Sequence, residues 1–419
     1  MRQIFFLLLV VFTAACTSSD GPVITVDTYS SATVLKWNLA ATNFVKRSQG
    51  FSPMPESRAY AMVNLAMHDA LNNIVPKYET YAYHVKDPLA DPNAAVVQSA
   101  HDVMVFLWPA LSSSADSLLS VYLAEVPNGS AKDKGITLGK SVAAAMLQLR
   151  KDDGASVAQY PVAEGVNPGE YRSVAPLAGF IILPGWGKVK PFSILNANAF
   201  RPLPPYALAS AEYTADYNEI KTMGCLNCPA RTADQTQLGV FWLDNVPLSW
   251  NSIAVKLVEE KKWNGWKTAR TLALLHIAEA DANIAVFEAK YFYYYWRPVS
   301  AVRLGESDGN PQTAGDPAWT ILAPPTPPAP DYPSNHAADG GAAAEILRDA
   351  AGTDNFSFSI TSNSLPNVSR SFKSFSQAAT ETSLSRIYVG FHFRRAVVEG
   401  EAMGRRIGKF VVENSLKPY

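Results

Sequence analysis

The chain has 419 residues, 48% of them hydrophobic, and a formal net charge of −1. This length and composition suit one large or two ordinary globular domains with an ample buried core. The near-neutral charge and the lack of a basic tail exclude a generally basic nucleic-acid-binding surface. Any anion site must therefore be built from local cations.

The first 16 residues have the pattern of a secretory signal. Arg2 precedes an apolar run at 4–12, which is too short to span a membrane stably, and small residues lead to Cys16. Residues 13–16 resemble a bacterial lipoprotein processing site, although leucine is more usual than threonine at the position of Thr13. We expect a lipoprotein-like signal peptide at 1–16, lipidation of Cys16 and a tether at 17–31.

Both ways of processing this signal export the protein. In the first, the lipidated N-terminus is the sole membrane contact of a body that faces the periplasm or the cell exterior. In the alternative, the general signal peptidase releases a soluble protein. No later apolar run reaches the roughly 20 residues that a membrane helix needs.

Residues 32–205 are predicted to form an N-terminal helical half that ends in a long connection. Apolar residues recur at spacings of three and four, and His68 and Asp69 on one such stripe are interpreted as structural. Frequent proline and glycine at 152–205 exclude regular helix there, so this segment is a candidate rim of an active site. The predicted helices are 33–47, 56–74, 94–107, 114–125 and 132–150.

Residues 206–419 form the second predicted unit. A second proline-rich loop at 305–331 leads into a helix that starts at 335. Cys225 and Cys228 are interpreted as a short-loop disulfide or as bystanders, because neither a redox-motif setting nor further zinc ligands accompany them. The predicted helices are 209–222, 232–243, 251–262, 266–295, 335–351 and 384–409.

The stretch 331–338, Asp-Tyr-Pro-Ser-Asn-His-Ala-Ala, predicts an anion site at the start of a helix. Ser334 is a natural N-cap, so free backbone N–H groups near Asn335 and His336 should point outward. A hydroxyl and an imidazole stand beside them. An ordinary capped helix with a structural histidine is the alternative for this stretch alone.

Two other stretches supply positive charge. Lys290 and Arg297 are two helical turns apart, so they share a face at heights that differ by about 10 Å, and the proline after Arg297 favours a helix end there. Arg386 and His392 are six residues apart, but Gly390 between them would allow a bend that turns both inward. Considered alone, the first pair could equally be cations that snorkel from a buried aromatic face.

Together these stretches resemble the signature of the vanadium haloperoxidase and type 2 phosphatidic acid phosphatase superfamily. That signature is K-x6-R-P, P-S-G-H and S-R-x5-H, in this order, and every spacing is met, with Asn335 in place of the glycine. The stretches 241–244, 280–282 and, more faintly, 58–70 resemble the long haloperoxidase-type members. The resemblance implies an all-α fold of two packed helical bundles, with the site in the C-terminal bundle.

The resemblance also implies residue roles. His392 would be the metal ligand of vanadate, and His336 the acid–base residue that activates hydrogen peroxide for halide oxidation to hypohalous acid. Three cations over-neutralise a small anion, so a carboxylate is expected nearby, and Asp244 is the candidate to pair with Arg386. Vanadate, or phosphate in the same site, would be held by Lys290, Arg297, Ser334, the Asn335 amide and Arg386.

A phosphatase of the same build is the alternative activity. His392 would then attack phosphorus, and His336 would protonate the leaving alcohol of a phosphate ester. The length of the chain and its extra motif stretches favour the haloperoxidase type. Some superfamily members carry an acid four residues after the last histidine, where this chain has Ala396. A degenerate oxyanion-binding protein is disfavoured by the intact histidines and cations.

Overall fold

The computed structural model describes residues 25–48 and 52–419, and this part of the chain is almost entirely helices and connecting loops. The prediction of an all-α fold is confirmed. The predicted signal peptide, with Cys16, and the first part of the tether lie outside the described residues. Among the helices described, none is long and apolar enough to cross a membrane.

The N-terminal half packs around α2, which is buried along most of its length. His68 on α2 lies 3.0 Å through Nε2 from the Glu79 carbonyl oxygen, and the Asp69 carboxylate accepts backbone N–H bonds from residues 81–83. Both side chains hold the segment after α2 in place, which confirms the prediction that they have a structural role. The helices of this half are α1 Ala32–Arg47, α2 Pro53–Asn72, α3 Pro92–Leu107, α4 Ser112–Ala124 and α5 Ser130–Arg150.

The long connection is ordered, with short 3-10 turns at Ala155–Val157, Trp186–Lys188 and Ala197–Phe200. Tyr171 and Trp186 are buried, as expected of a packed segment. The Asp281 carboxylate accepts N–H bonds of 2.6 to 2.9 Å from residues 192–194. The connection is therefore tied to the second half of the chain.

The second half contains the remaining helices and one hairpin. These elements are α6 Ala211–Met223, α7 Ala233–Phe241, α8 Val246–Lys261, α9 Gly265–Tyr293, α10 Pro298–Arg303, α11 Asn335–Ala351, β1 Asn355–Thr361, β2 Ser369–Ser374, α12 Phe375–Tyr388 and α13 Arg394–Asn414. Strands β1 and β2 pair antiparallel. Cys225 and Cys228 form a disulfide, which was one of the two predicted alternatives.

Several predicted helix boundaries in this half are wrong. The single helix at 384–409 is two helices, α12 and α13, separated by a loop in which Gly390 adopts φ 83°. Helix α8 begins at Val246 rather than 251, because the Asn245 side chain caps it and Pro247 is tolerated in a first turn. Helix α10 and the hairpin were not predicted, since both are short and tertiary contacts decide such elements.

Helix α13 packs closely along α11 because glycines occur every fourth residue on the facing side, at 400, 404 and 408. A Cβ atom on Gly404 would lie 2.0 Å from the Ala338 carbonyl oxygen, so only glycine permits this approach. The same contact brings the start of α11 beside α13, where the Ser334 N–H donates to the Ala396 carbonyl at 2.9 Å. Helix packing thus places the first turn of α11 at the candidate site.

Candidate active site

A cavity of about 250 Å³ collects the side chains that the sequence motifs singled out. Ile182 from the long connection and Ala329 from the second proline-rich loop also line it, so both irregular segments contribute to its rim. Lys290 and Ser334 are also buried: the Lys290 charge acts on His336 and His392, and Ser334 directly precedes Asn335. The motif residues that line the cavity are Arg297, Asn335, His336, Arg386 and His392.

Lys290 and Arg297 hold the loop that leads into α11. Lys290 lies in the last turn of α9, and its Nζ donates to the carbonyl oxygens of Pro330 at 2.6 Å and Asp331 at 2.9 Å. Arg297 is the residue before α10, as the following proline predicts, and its Nε donates to the Ala329 carbonyl at 2.6 Å. Each cation keeps further N–H groups for an anion.

Ser334 occupies the N-cap position of α11, but its side chain makes no capping bond. The hydroxyl is buried and has no hydrogen-bond partner among the described residues. A buried hydroxyl without a partner is costly, so this Oγ is available to a ligand. The side-chain amide of Asn335 donates to Asn283 on α9 at 3.0 Å, which fixes the side chain that replaces the usual glycine.

Arg386 and His392 reach the cavity from the end of α12 and from the loop that follows it. Arg386 is oriented by its Nε–H bond to Ser385 Oγ at 2.9 Å and its bond to the Trp242 carbonyl at 2.5 Å. Arg297 donates to His392 Nε2 at 3.0 Å. Because a guanidinium can only donate, Nε2 carries the lone pair and Nδ1 the proton.

Burial and the three cations together keep both histidines neutral. Burial lowers the pKa of His392 and of His336 well below the usual value, and the charges of Arg297, Lys290 and Arg386 lower each pKa further. Burial, together with the Arg297 charge, lowers the pKa of Arg386 to about 9. Such mutual repulsion among buried cations is relieved by a bound anion.

The carboxylate of Asp331 lies close enough to Lys290 and Arg297 to oppose the lowering of each pKa by burial. Burial raises its pKa to about 7, against the opposing effect of Arg297 and Lys290, and its Oδ1 lies 2.9 Å from His392 Nδ1. Sequence analysis gave Asp331 no role, although it stands three residues before Ser334. The only signal in the sequence was an acid next to a predicted anion site.

The predicted pairing of Asp244 with Arg386 is wrong. Asp244 accepts from the backbone N–H of Asn363 at 2.9 Å, from its side-chain amide at 3.1 Å and from the Asn245 N–H, and it makes no ion pair with Arg386 in the described part of the chain. The turn between α7 and α8 directs this carboxylate toward the end of the hairpin. The same stretch still orients Arg386, through the backbone carbonyl of Trp242.

The donor set fits a tetrahedral or trigonal oxyanion such as vanadate or phosphate. Arginine forks and a lysine ammonium suit oxyanion oxygens, the free hydroxyl adds a neutral donor, and a neutral imidazole offers one lone pair to a metal or to phosphorus. By contrast, the described residues contain no group of three or more His, Cys, Asp or Glu side chains that could hold a bare metal ion.

Residues 270–418 match the family model described as the VCPO second helical-bundle domain, and every signature residue from Lys290 to His392 falls within that range. This part of the chain therefore matches a vanadium haloperoxidase family domain. Outside the matched range the superfamily stretch at 241–244 lies beside Arg386, as described above. The superfamily signature therefore corresponds to side chains that meet at one cavity.

Individual members of the superfamily resemble this chain at low sequence identity. Vanadium chloroperoxidase of Curvularia inaequalis is 26% identical in an alignment 407 positions long, which includes 76% of this chain and 66% of that relative. The crystal structure of the first bacterial vanadium-dependent iodoperoxidase superposes with a TM-score of 0.81 and 24% identity, over 95% of this chain and 99% of that one. The structure of a holo-type bacterial vanadium-dependent chloroperoxidase superposes with a TM-score of 0.71 and 16% identity, over 93% of this chain and 98% of that one. These structures share the fold.

Proposed function

We propose that this protein is a vanadium-dependent haloperoxidase, which uses hydrogen peroxide to oxidise a halide to hypohalous acid. One observation carries the proposal: a neutral histidine, whose unprotonated Nε2 accepts a hydrogen bond from Arg297, faces buried cations in a cavity suited to an oxyanion. The relatives described above, a vanadium chloroperoxidase and a vanadium-dependent iodoperoxidase, support the same cofactor and reaction class.

The chain's own residues would divide the work as follows. His392 Nε2 would be the metal ligand, while Lys290, Arg297, Arg386, the Ser334 hydroxyl and the Asn335 backbone N–H would bind the oxyanion oxygens. Bound vanadate would supply Lewis-acid activation of hydrogen peroxide without changing oxidation state. The cations exist before the ligand arrives, so little reorganisation is needed on binding.

His336 would move the protons. Its pKa lies well below the usual value because of burial and the three nearby cations, so the imidazole is a neutral base at neutral pH. It can accept a proton from an incoming hydrogen peroxide molecule and return it to the leaving oxygen. Replacement by alanine should therefore reduce turnover more than anion binding.

The decisive experiment loads purified protein with orthovanadate and assays halogenation of a phenolic dye with hydrogen peroxide and iodide, bromide or chloride. A parallel assay without vanadate follows aryl phosphate hydrolysis, with His392→Ala and His336→Ala in both. We expect vanadate-dependent halogenation that both variants lose. Phosphatase turnover lost in both variants, with no halogenation of any halide, would replace the proposal with a phosphohistidine-forming phosphatase.

We also propose that the protein is exported and held at a membrane by lipidation of Cys16, facing the periplasm or cell exterior. The basis is the signal-like composition of residues 1–16 and the small residues before Cys16. The catalytic cavity would then act outside the cytoplasm, where a Cys225–Cys228 disulfide is also stable.

A further inference from the structure

The side chain of Asp331 lies against the proposed vanadate ligand. It is fully buried, and neither carboxylate oxygen makes a hydrogen bond of good geometry among the described residues, although the Phe393 backbone N–H is near enough to lower its pKa. His392 Nδ1 is likewise without a partner there, yet it lies only 2.9 Å from Asp331 Oδ1. The two groups are at hydrogen-bonding distance, so each can serve as the partner of the other.

The proton on the imidazole faces this carboxylate. Arg297 donates to Nε2, so Nδ1 carries the hydrogen and points toward the Asp331 side. The backbone of Asp331 is fixed on both sides: its N–H donates to the Tyr295 carbonyl at 2.9 Å, and its carbonyl accepts from Lys290. The carboxylate is therefore presented to His392 by a rigid segment.

A second observation concerns the position where other superfamily members have an acid, four residues after the histidine. Ala396 stands there, and its methyl group cannot accept a hydrogen bond. Ala396 and Asp331 line the same small cavity, although they belong to different elements. The carboxylate thus reaches the histidine from the loop before α11 instead of from α13.

We propose that Asp331 is the positioning residue of His392: its carboxylate accepts a hydrogen bond from Nδ1–H and keeps Nε2 unprotonated and directed at a tetrahedral oxyanion, in place of the acid missing at Ala396. Partners of this kind fix the tautomer and orientation of a ligating histidine and raise its basicity. The inference rests on the proposed function in so far as His392 is taken as the oxyanion's ligand.

The first test needs no cofactor. Proton NMR of the protein with ¹⁵N-labelled histidine should show a downfield, slowly exchanging Nδ1 proton of His392, assigned through its loss in His392→Gln. Asp331→Ala should shift this signal upfield or abolish it by exchange. Asp216→Asn is the matched control, because Asp216 is a buried carboxylate that lines the same small cavity but accepts its bond from the Arg395 N–H. An unchanged signal in Asp331→Ala would refute the proposal.

The second test measures vanadate binding by equilibrium dialysis, with circular dichroism as a check of folding. Asp331→Ala should weaken binding by about 10- to 100-fold, as loss of a ligand's hydrogen-bond partner does, and Asp331→Asn should weaken it less. Adding Ala396→Asp to Asp331→Ala should restore much of the affinity, which a merely structural role would not predict. Equal affinity of wild type and Asp331→Ala would overturn the inference.

The outcome of these tests can be distinguished from failure of the proposed function. If wild type binds vanadate but oxidises no halide, the haloperoxidase proposal fails, while the affinity ratio still decides the role of Asp331. If wild type binds no vanadate, the NMR signal alone decides it, because that experiment is done without ligand.

Discussion

At the scale of single residues, the Ser334 hydroxyl is the clearest candidate for a direct contact with an anion, because it is buried without a partner in the described structure. Ser334→Ala should weaken vanadate or phosphate binding by roughly 10- to 150-fold, since one hydrogen bond to a charged group contributes about 1.5–3 kcal/mol. The free energy of unfolding of the unliganded protein should hardly change. Dialysis and urea denaturation measure the two quantities.

Thr268 provides the control for this substitution. Its hydroxyl is also buried without a partner in the described part of the chain, but it lies 22 residues before Lys290 on the same helix, about 33 Å away along the axis. Thr268→Val should leave anion binding unchanged. A similar loss of binding in both variants would mean that the Ser334 hydroxyl does not contact the anion.

His68 should make the folded protein sensitive to acid. Burial lowers its pKa to about 4. The hydrogen bond to the Glu79 carbonyl opposes this shift, and the Arg270 charge adds a smaller lowering of the pKa. Between pH 6.5 and about 4 the unfolded chain binds a proton that the folded chain excludes, so stability present at neutral pH is lost as the pH falls. Between pH 7.5 and pH 5, urea denaturation should show wild type losing about 2 kcal/mol more than His68→Gln.

The comparison variant is His84→Gln, because His84 is exposed. It should follow the pH dependence of wild type. If His68→Gln and wild type lose stability in parallel over this range, protonation of His68 does not contribute to acid unfolding.

At the scale of elements, the close contact between α11 and α13 holds the first turn of the site. A Cβ atom on Gly404 would lie 2.0 Å from the Ala338 carbonyl oxygen, too close for any side chain. Gly404→Ala should therefore push the helices apart, lower the free energy of unfolding by about 1–3 kcal/mol, and weaken oxyanion binding by displacing Ser334. Denaturation and dialysis on one preparation test both effects.

Val398 on the same helix is exposed and supplies the matched substitution. Val398→Ala should change neither quantity appreciably, since surface substitutions are usually within about 0.5 kcal/mol. Normal anion binding in a destabilised Gly404→Ala protein would show that this helix contact supports the fold without positioning the site.

At the scale of the whole molecule, an anion should stabilise the protein because, among the described residues, three buried cations at the site face the Asp331 carboxyl, whose pKa is raised. Vanadate at about 100 times its dissociation constant should add about 2.7 kcal/mol to the free energy of unfolding. Calorimetry should show a higher melting temperature with vanadate and with phosphate. The rise should be smaller in His392→Ala, and no rise in wild type would contradict the site.

Mass spectrometry of the mature protein from a bacterial host tests the proposed anchor. We expect a chain that begins at Cys16 and carries acyl groups, in the membrane fraction, and a soluble or unprocessed product from Cys16→Ser. An unmodified terminus at any later residue would rule out the anchor and leave the enzymatic proposal intact.

The sequence by itself determined the helical class, most helix positions and the signature residues, because helix periodicity, capping and motif spacing are local properties. Tertiary structure alone decided which groups meet. The Asp331 carboxylate lies beside His392, 61 residues later, and Trp242 orients Arg386 through its backbone, whereas Asp244 turns away. Such pairs depend on how α9, α11, α12 and α13 pack, and that packing depends on close contacts, such as those of the α13 glycines, between residues far apart in the chain.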